Sequence, residues 1–464
     1  MYIQQIYTNC LAHAAYYIES GHEAAVIDPL RDPAPYLKLA RERGTQIKYV
    51  FETHFHADFV SGHIDLANKT GASIVFGPNA TPAYKAYIAE DGEILHLGKE
   101  QIEVLHTPGH TIESICILVK DEHGVANAVF TGDTLFVGDV GRPDLLSGNL
   151  PKEVLGGMLF DSLQNKIKPL ADSITVYPGH GAGSACGKNI GSQSYSTIGD
   201  ERAKNYAMLI TNKEDFIAAV TTDQPVIPGY FFKDAVINKT GAGNFDDVMT
   251  RNLQALSVDA FNKIRHEGAL VLDTRSPAEF AKGFISGSVN IGLTGDFAVW
   301  VGTLIDADKD LLLITDLGRE REAVERLARI GFEKVHGYLN GGIDAWTDLQ
   351  GGYETIPTYT GAQCSLLLET EGFELLDVRN RLEVAKHRMA GSLHIPLNQL
   401  KNRLDAIDNS KKWLIYCAGG YRSMIAASYL MANGYDAVAS VEGGIKEVIS
   451  QAPELVEFDL MDVN

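Results

Sequence analysis

The sequence predicts a multidomain α/β chain, and three observations carry the prediction. Its 464 residues, at roughly 150 per domain, make about three domains. Four short segments rich in histidine and carboxylate follow apolar, strand-like runs in the first half. The second half repeats itself: Leu272-Asp273-Thr274-Arg275 returns 104 residues later as Leu376-Asp377-Val378-Arg379. Likewise, Leu339-Asn340-Gly341-Gly342-Ile343 returns 102 residues later as Val441-Glu442-Gly443-Gly444-Ile445.

In chain order, the strand-like run Tyr49-Val50-Phe51 leads into Thr53-His54-Phe55-His56-Ala57-Asp58-Phe59, and Pro108-Gly109-His110 follows. Ala128-Val129-Phe130 leads into Thr131-Gly132-Asp133, and Pro178-Gly179-His180 closes the set. Imidazoles and carboxylates at the ends of strands can converge on one sheet edge and hold a cation. A single histidine among apolar residues is more often a satisfied core or turn group. Four such segments together argue for a metal centre.

These segments resemble the metallo-β-lactamase superfamily over about the first half of the chain, which implies an N-terminal αββα sandwich. In that superfamily the first motif usually ends in a further histidine that binds a second metal. This chain has Phe59 there, and a phenyl ring cannot ligate. The resemblance leaves one site, His54, His110 and Asp133, which matches the two-histidine, one-carboxylate triad of non-haem Fe(II) oxygenases. The stretch from Gly132 to Asp144 looks like that of the persulfide dioxygenases of the glyoxalase-II-like branch, implying Fe(II), one per chain. His56, Asp58 and His180 would then orient the ligands or bind substrate. Arg142 and Lys188 would offer local positive charge. Cys186, six residues past His180 in a glycine-rich loop, is either a persulfide acceptor at the mouth of the site or a plain loop cysteine.

The repeated halves alternate apolar runs, such as Leu311-Leu312-Leu313-Ile314 and Trp413-Leu414-Ile415-Tyr416, with helical patterns, which predicts two tandem parallel α/β domains. Both resemble rhodanese-like domains. The signature is the turn Cys417-Ala418-Gly419-Gly420-Tyr421-Arg422-Ser423, whose glycines let the backbone aim N–H groups inward at a helix start, stabilising a thiolate and then a persulfide. Cys417 is the expected nucleophile, and residues 418 to 423 the cradle. A cysteine phosphatase uses a related loop, but the four residues between Cys417 and Arg422 are one fewer than its signature has, a size suited to sulfur. In the first repeat the turn reads Asp316-Leu317-Gly318-Arg319-Glu320-Arg321, with no thiol. This domain is expected to be an inactive spacer or docking element, with a small-anion site as the alternative.

The order of metal domain, inactive rhodanese and active rhodanese is similar to the multidomain persulfide dioxygenase-sulfurtransferases of the CstB type. That resemblance implies oxidation of a coenzyme A or glutathione persulfide by O2 to sulfite, sulfur transfer from Cys417 to sulfite giving thiosulfate, and a role in sulfide detoxification. Two readings from other classes stand beside it. One is a dinuclear zinc thioester hydrolase of the glyoxalase II kind; the other is a non-enzymatic sulfur-sensing or scaffold protein.

Composition bounds the partners. A formal charge of −20 opposes binding to nucleic acid or anionic lipid. Five widely spaced cysteines make no disulfide framework, and the cytoplasm is expected. Cys10, Cys116 and Cys364 carry no signal. Residues Met1 to Ile6 lack the character of a secretory leader, and no run reaches the roughly 18 apolar residues of a membrane span. A homo-oligomer is expected. Turn-forming residues place the domain boundaries at 1–243, 244–355 and 356–464; the Pro225/Pro228 segment precedes the first junction, and residues 351 to 357 mark the second.

Overall fold

Residues of the strand His13–Ser20 alternate between two cores: Tyr16 and Ile18 face one, Ala15 and Tyr17 the other. A strand with both faces buried lies between layers. The computed structural model describes residues 1–145, 150–224, 226–350 and 352–458. Pro225 and Gly351, used above as turn markers, lie outside the described residues. Contacts divide the chain into two units, residues 1–248 with 327–331, and 249–326 with 332–464.

The first unit holds two six-stranded sheets. One comprises Tyr2–Thr8 (β1), His13–Ser20 (β2), Glu23–Ile27 (β3), Gln46–Phe51 (β4), Ser73–Phe76 (β5) and Tyr87–Ile88 (β6), side by side in that order. The other comprises Ile94–Leu97 (β7), Glu100–His106 (β8), Ile115–Lys120 (β9), Ala126–Gly132 (β10), Thr175–Pro178 (β11) and Ser196–Thr197 (β12), again in sequential order. Phe51 and Val75 of the first sheet and Val104, Ile117 and Phe130 of the second share one buried core. The outer faces are covered by helices, Ala34–Arg43 and His63–Thr70 on one side and Lys152–Ser162 on the other. This is the helix–sheet–sheet–helix sandwich expected from the sequence.

The second unit contains two five-stranded sheets of the same design. Ala255–Leu256 (β13), Leu270–Asp273 (β14), Val289–Asn290 (β15), Leu311–Ile314 (β16) and Val335–Leu339 (β17) lie in the order β13-β17-β16-β14-β15. Thr358–Tyr359 (β18), Phe373–Asp377 (β19), His387–Met389 (β20), Leu393–His394 (β21), Lys412–Tyr416 (β22), Val438–Val441 (β23) and Val456–Phe458 (β24) follow. Here the sheet order is β18-β23-β22-β19-β21, with β20 and β24 forming a separate antiparallel pair. All pairings in the two five-stranded sheets are parallel. The repeated Asp-x-Arg does the same work in both sheets: Arg275 and Arg379 fold back on Asp273 and Asp377, each with an Nη2–Oδ2 distance of 2.6 Å. Among the described residues no helix is long and apolar enough to cross a membrane.

Candidate functional site

The four histidine and carboxylate segments all leave strand ends on the same side of the first unit: after β4, β8, β10 and β11. Small residues let them converge. A Cβ on Gly179 would lie 2.7 Å from Asp133 Oδ1, and one on Gly141 would lie 1.9 Å from the Asp133 carbonyl oxygen. His54, His110 and Asp133 are buried and bring one ligand atom each within 4.8 Å of the others.

Hydrogen bonds choose which atoms face the centre. Thr53 Oγ1 donates its single proton to Asp28 Oδ2 at 2.8 Å, so it accepts from His54 Nδ1–H at 3.0 Å and leaves Nε2 with a free lone pair. His110 Nδ1–H donates to the Arg142 carbonyl at 2.9 Å, again leaving Nε2, which lies 3.5 Å from Asp133 Oδ2. Asp133 Oδ1 accepts from His180 Nδ1 at 2.8 Å, while among the described residues Oδ2 is buried with no N–H or O–H donor within hydrogen-bond distance. Burial, then the neighbouring His56, hold His54 well below the usual imidazole range, and burial likewise lowers His110. Burial alone would raise Asp133, but His180, His54 and His110 hold it well below the usual carboxylate range. Two neutral imidazoles and an orphaned carboxylate oxygen are a donor set that fits a divalent transition metal.

His180 is a bridge between carboxylates, its Nε2 donating to Asp58 Oδ2 at 2.8 Å. Burial opposes its charge, yet Asp133 and Asp58 raise it well above the usual range. His56 turns to the other side, with Nε2 3.1 Å from Asp28 Oδ1 and 3.7 Å from Glu52 Oε2. Against the burial penalty, Asp28 and Glu52 raise it to about 9. Phe59 is buried, and its ring packs on those of His13 and His56 at centroid distances of 4.3 and 4.4 Å.

Cys186 is buried, with its sulfur grouped with Asp58 and His180. Burial first, then Asp58 and Asp133, push its thiol well above the usual range. The structure corrects one expectation of free charge, that of Arg142, while Lys188 keeps its charge on the surface. Arg142 is buried, with Nε and Nη2 on Asp144 at 2.7 and 2.8 Å and Nη1 on the Ala185 carbonyl at 3.1 Å. Its positive charge is spent on that pair, and its carbonyl is what serves the centre. Lys188 is exposed, with Nζ on the Thr222 carbonyl at 3.0 Å. Sequence reasoning missed Asp28, whose two oxygens hold Thr53 N and Oγ1 at 2.7 and 2.8 Å. An acid ending the apolar run of β3 was its only signal.

In the second unit, Cys417 follows β22 and precedes the helix Tyr421–Ala432. Gly420 adopts φ +95°, a left-handed turn that glycine takes without strain, and its N–H points at Cys417 Sγ from 3.1 Å. Ser423 Oγ lies 3.6 Å from the sulfur, supported by Ser440 Oγ at 2.9 Å. Ala418, Gly419 and Tyr421 complete the turn. Arg422 is held by an acid beside the cradle: both its Nη atoms sit on Glu383, each at 2.7 Å, and the guanidinium still bears electrostatically on Cys417. In the first repeat Asp316 is exposed, and Glu320 Oε1 accepts from Gly318 N–H at 3.1 Å. The chain's own carboxylate therefore occupies that loop amide, against the small-anion alternative. Arg321 is exposed and reaches along its helix to Glu325 at 3.1 Å.

Comparison with known proteins agrees with this geometry. Residues 8–180 match the metallo-beta-lactamase superfamily model, and residues 257–349 and 360–451 match the rhodanese-like domain model. A hydroxyacylglutathione hydrolase of Pelagibacter ubique is 33% identical over 34% of this chain and 61% of its own length. The chain thus spans less than two thirds of that curated relative. Hydroxyacylglutathione hydrolase GloC of Haemophilus influenzae is 31% identical over 39% of this chain and 85% of its own length. A solved metallo-beta-lactamase structure from Staphylococcus aureus is 34% identical, with a TM-score of 0.66 over 73% of this chain and 99% of that one.

Proposed function

The chain belongs to the metallo-β-lactamase superfamily and carries two rhodanese-like domains behind that fold, and on this premise we propose that it is a persulfide dioxygenase coupled to a sulfurtransferase. The observation that carries the reading is the buried trio His54, His110 and Asp133, and Phe59, a side chain that cannot ligate, packed on His13 and His56 beside it supports the reading of one metal. His54 Nε2, His110 Nε2 and Asp133 Oδ2 would hold one Fe(II). When bound, that ion supplies open positions at which a thiol persulfide and O2 can meet.

The protein's own part is positioning and proton control. Thr53 and the Arg142 carbonyl fix the two imidazole tautomers, and the His180 imidazolium holds Asp133 Oδ1 so that Oδ2 faces the ligand set. With O2 as the four-electron oxidant of the outer sulfur and one water supplying the third oxygen and the thiol's proton, the products are sulfite and the free thiol, of the coenzyme A or glutathione class, with two protons released. In the second rhodanese-like domain, Cys417 thiolate takes the outer sulfur of another persulfide and releases its thiol; sulfite then attacks that sulfur, giving thiosulfate and regenerating the thiolate. Thiosulfate formation in a chain that consumes persulfide is a route for sulfide detoxification.

The experiment is metal content and O2 uptake on glutathione and coenzyme A persulfides, with protein purified without oxygen. About one iron per chain with persulfide-dependent uptake is expected. In parallel, Cys417→Ser should keep O2 uptake and shift the product from thiosulfate to sulfite, after subtraction of the spontaneous reaction. Equal thiosulfate from the variant would sink the relay. The second donor group, Asp58, His180 and Cys186, favours one competing reading, a dinuclear thioester hydrolase. Two zincs per chain and no O2 uptake would replace the dioxygenase with it.

A further inference from the structure

The charge around Cys417 is settled by a residue far from it in sequence. Glu383 is placed by a capping box: Asn380 Oδ1 accepts from its N–H at 2.9 Å, and its Oε2 accepts from the Asn380 N–H at 3.1 Å. From there Oε1 and Oε2 each receive one Nη of Arg422 at 2.7 Å. A bidentate guanidinium–carboxylate pair is strong and geometrically exact, and its net charge is zero. Arg379, the next guanidinium in the same domain to bear on Glu383, is likewise closed onto Asp377 at 2.6 Å. Among the described residues the sulfur accepts from the Gly420 N–H at 3.1 Å, while its own S–H points to Ser423 Oγ at 3.6 Å, whose proton goes to the Gly420 carbonyl.

The first repeat has the same acid without the same pairing. Its equivalent, Glu279, 104 residues earlier, pairs with Lys282 at 2.6 Å, while Arg321 pairs with Glu325. The clamp is found in the repeat that carries the thiol.

Resting on the sulfur-transfer reading above, we infer that Glu383 is a specificity-determining residue: by holding Arg422 in a bidentate pair it weakens the binding of thiosulfate at the Cys417 loop, favouring thiol persulfides as sulfur donors and the release of thiosulfate once formed. Thiosulfate carries two negative charges close to the sulfur that moves, whereas a thiol persulfide carries at most one there. A free guanidinium would hold the first far more strongly than the second. The chemistry is closed in both directions. Cys417 thiolate attacks the outer sulfur of thiosulfate, the S–S bond of thiosulfate breaks as the Cys417–sulfur bond forms, and sulfite leaves with the electron pair. Sulfite attacking the Cys417 persulfide reverses each of these events. Glu383 leaves that equilibrium unchanged and sets how long thiosulfate stays.

The test uses the full chain and cyanide as acceptor, with thiocyanate as the readout, thiosulfate or glutathione persulfide as donor, and Cys417→Ser as the background. Glu383→Gln keeps the size of the side chain and an oxygen for the Asn380 N–H while removing the charge on Arg422. The KM for thiosulfate is expected to fall about tenfold and to become more sensitive to salt. The turnover number and the KM for persulfide are expected to move less than about twofold. Glu383→Asp, which keeps the charge but shortens the reach, should shift the ratio of the two KM values in the same direction by about threefold. An unchanged ratio in both variants overturns the assignment while leaving sulfur transfer intact. Turnover of the unmodified chain no faster than Cys417→Ser would remove the sulfur-transfer reading itself, and this assignment with it.

Discussion

Gly444 shapes the sulfur-transfer loop by the atom it lacks. A Cβ there would lie 2.4 Å from the Cys417 carbonyl oxygen, at a φ of +61°. Gly444→Ala is therefore expected to cost the domain about 2 kcal/mol or more and to slow Cys417-dependent sulfur transfer, measured as the urea midpoint and thiocyanate formation. His63 makes a different prediction. Burial, then the positive charges of His56 and Arg31, push it down to about 3 from 6.5. Below the unfolded value the unfolded chain binds the proton that the folded chain refuses, so stability falls as pH drops from about 6.5 toward about 3, by at most roughly 1.4 kcal/mol per unit. His63→Gln should flatten the stability-against-pH slope in urea titrations between about pH 6.5 and pH 5; parallel slopes would exonerate His63. The residues that stand in local motifs, His54, Asp133 and Cys417, were legible in the sequence. Asp28 and Glu383 were not, because they act on Thr53 and Arg422, 25 and 39 residues away, and no short pattern links them.

The helix Tyr421–Ala432 is moored to the first repeat at two of its turns. Tyr421 Oη donates to the Gly292 carbonyl at 2.8 Å, and Ser428 Oγ accepts from the Asn290 N–H at 2.9 Å. Gly295 leaves room for the ring: a Cβ there would lie 2.7 Å from Tyr421 Cζ. Tyr421→Phe keeps the ring and loses the hydrogen bond, with an expected cost of about 1 kcal/mol. Gly295→Ala displaces the ring, and its effect on thiocyanate formation should be the larger of the two. If both variants match the unmodified chain, the first repeat does not steady the cradle. At this scale the duplicated motifs implied two copies of one α/β design, and the copies share one strand order, with β13, β17, β16, β14 and β15 answering to β18, β23, β22, β19 and β21. That permutation was hidden, because which strand lies beside which is decided by long-range packing. The β20–β24 pair escaped notice as well, three-residue strands being too short to show alternation.

The candidate metal ligands and Cys417 belong to different compact units, each with its own buried cores. Chelation should therefore abolish O2 uptake while thiosulfate-to-cyanide transfer continues at its former rate; parallel loss of both would mean that the cradle depends on the metal. The order of the domains was legible because each half carries its own motifs, whereas the contact-based division at residues 248 and 249, with 327–331 joined to the first unit, is a property of packing that no linker composition announced. In the first repeat Asp316 stands at the position of Cys417, Glu320 accepts from the Gly318 amide, and Arg321 pairs with Glu325. A single substitution, Asp316→Cys, would place a thiol beside an amide already bonded and an arginine already paired. Three positions rather than one, Asp316, Glu320 and Glu325, thus separate this loop from its counterpart at Cys417.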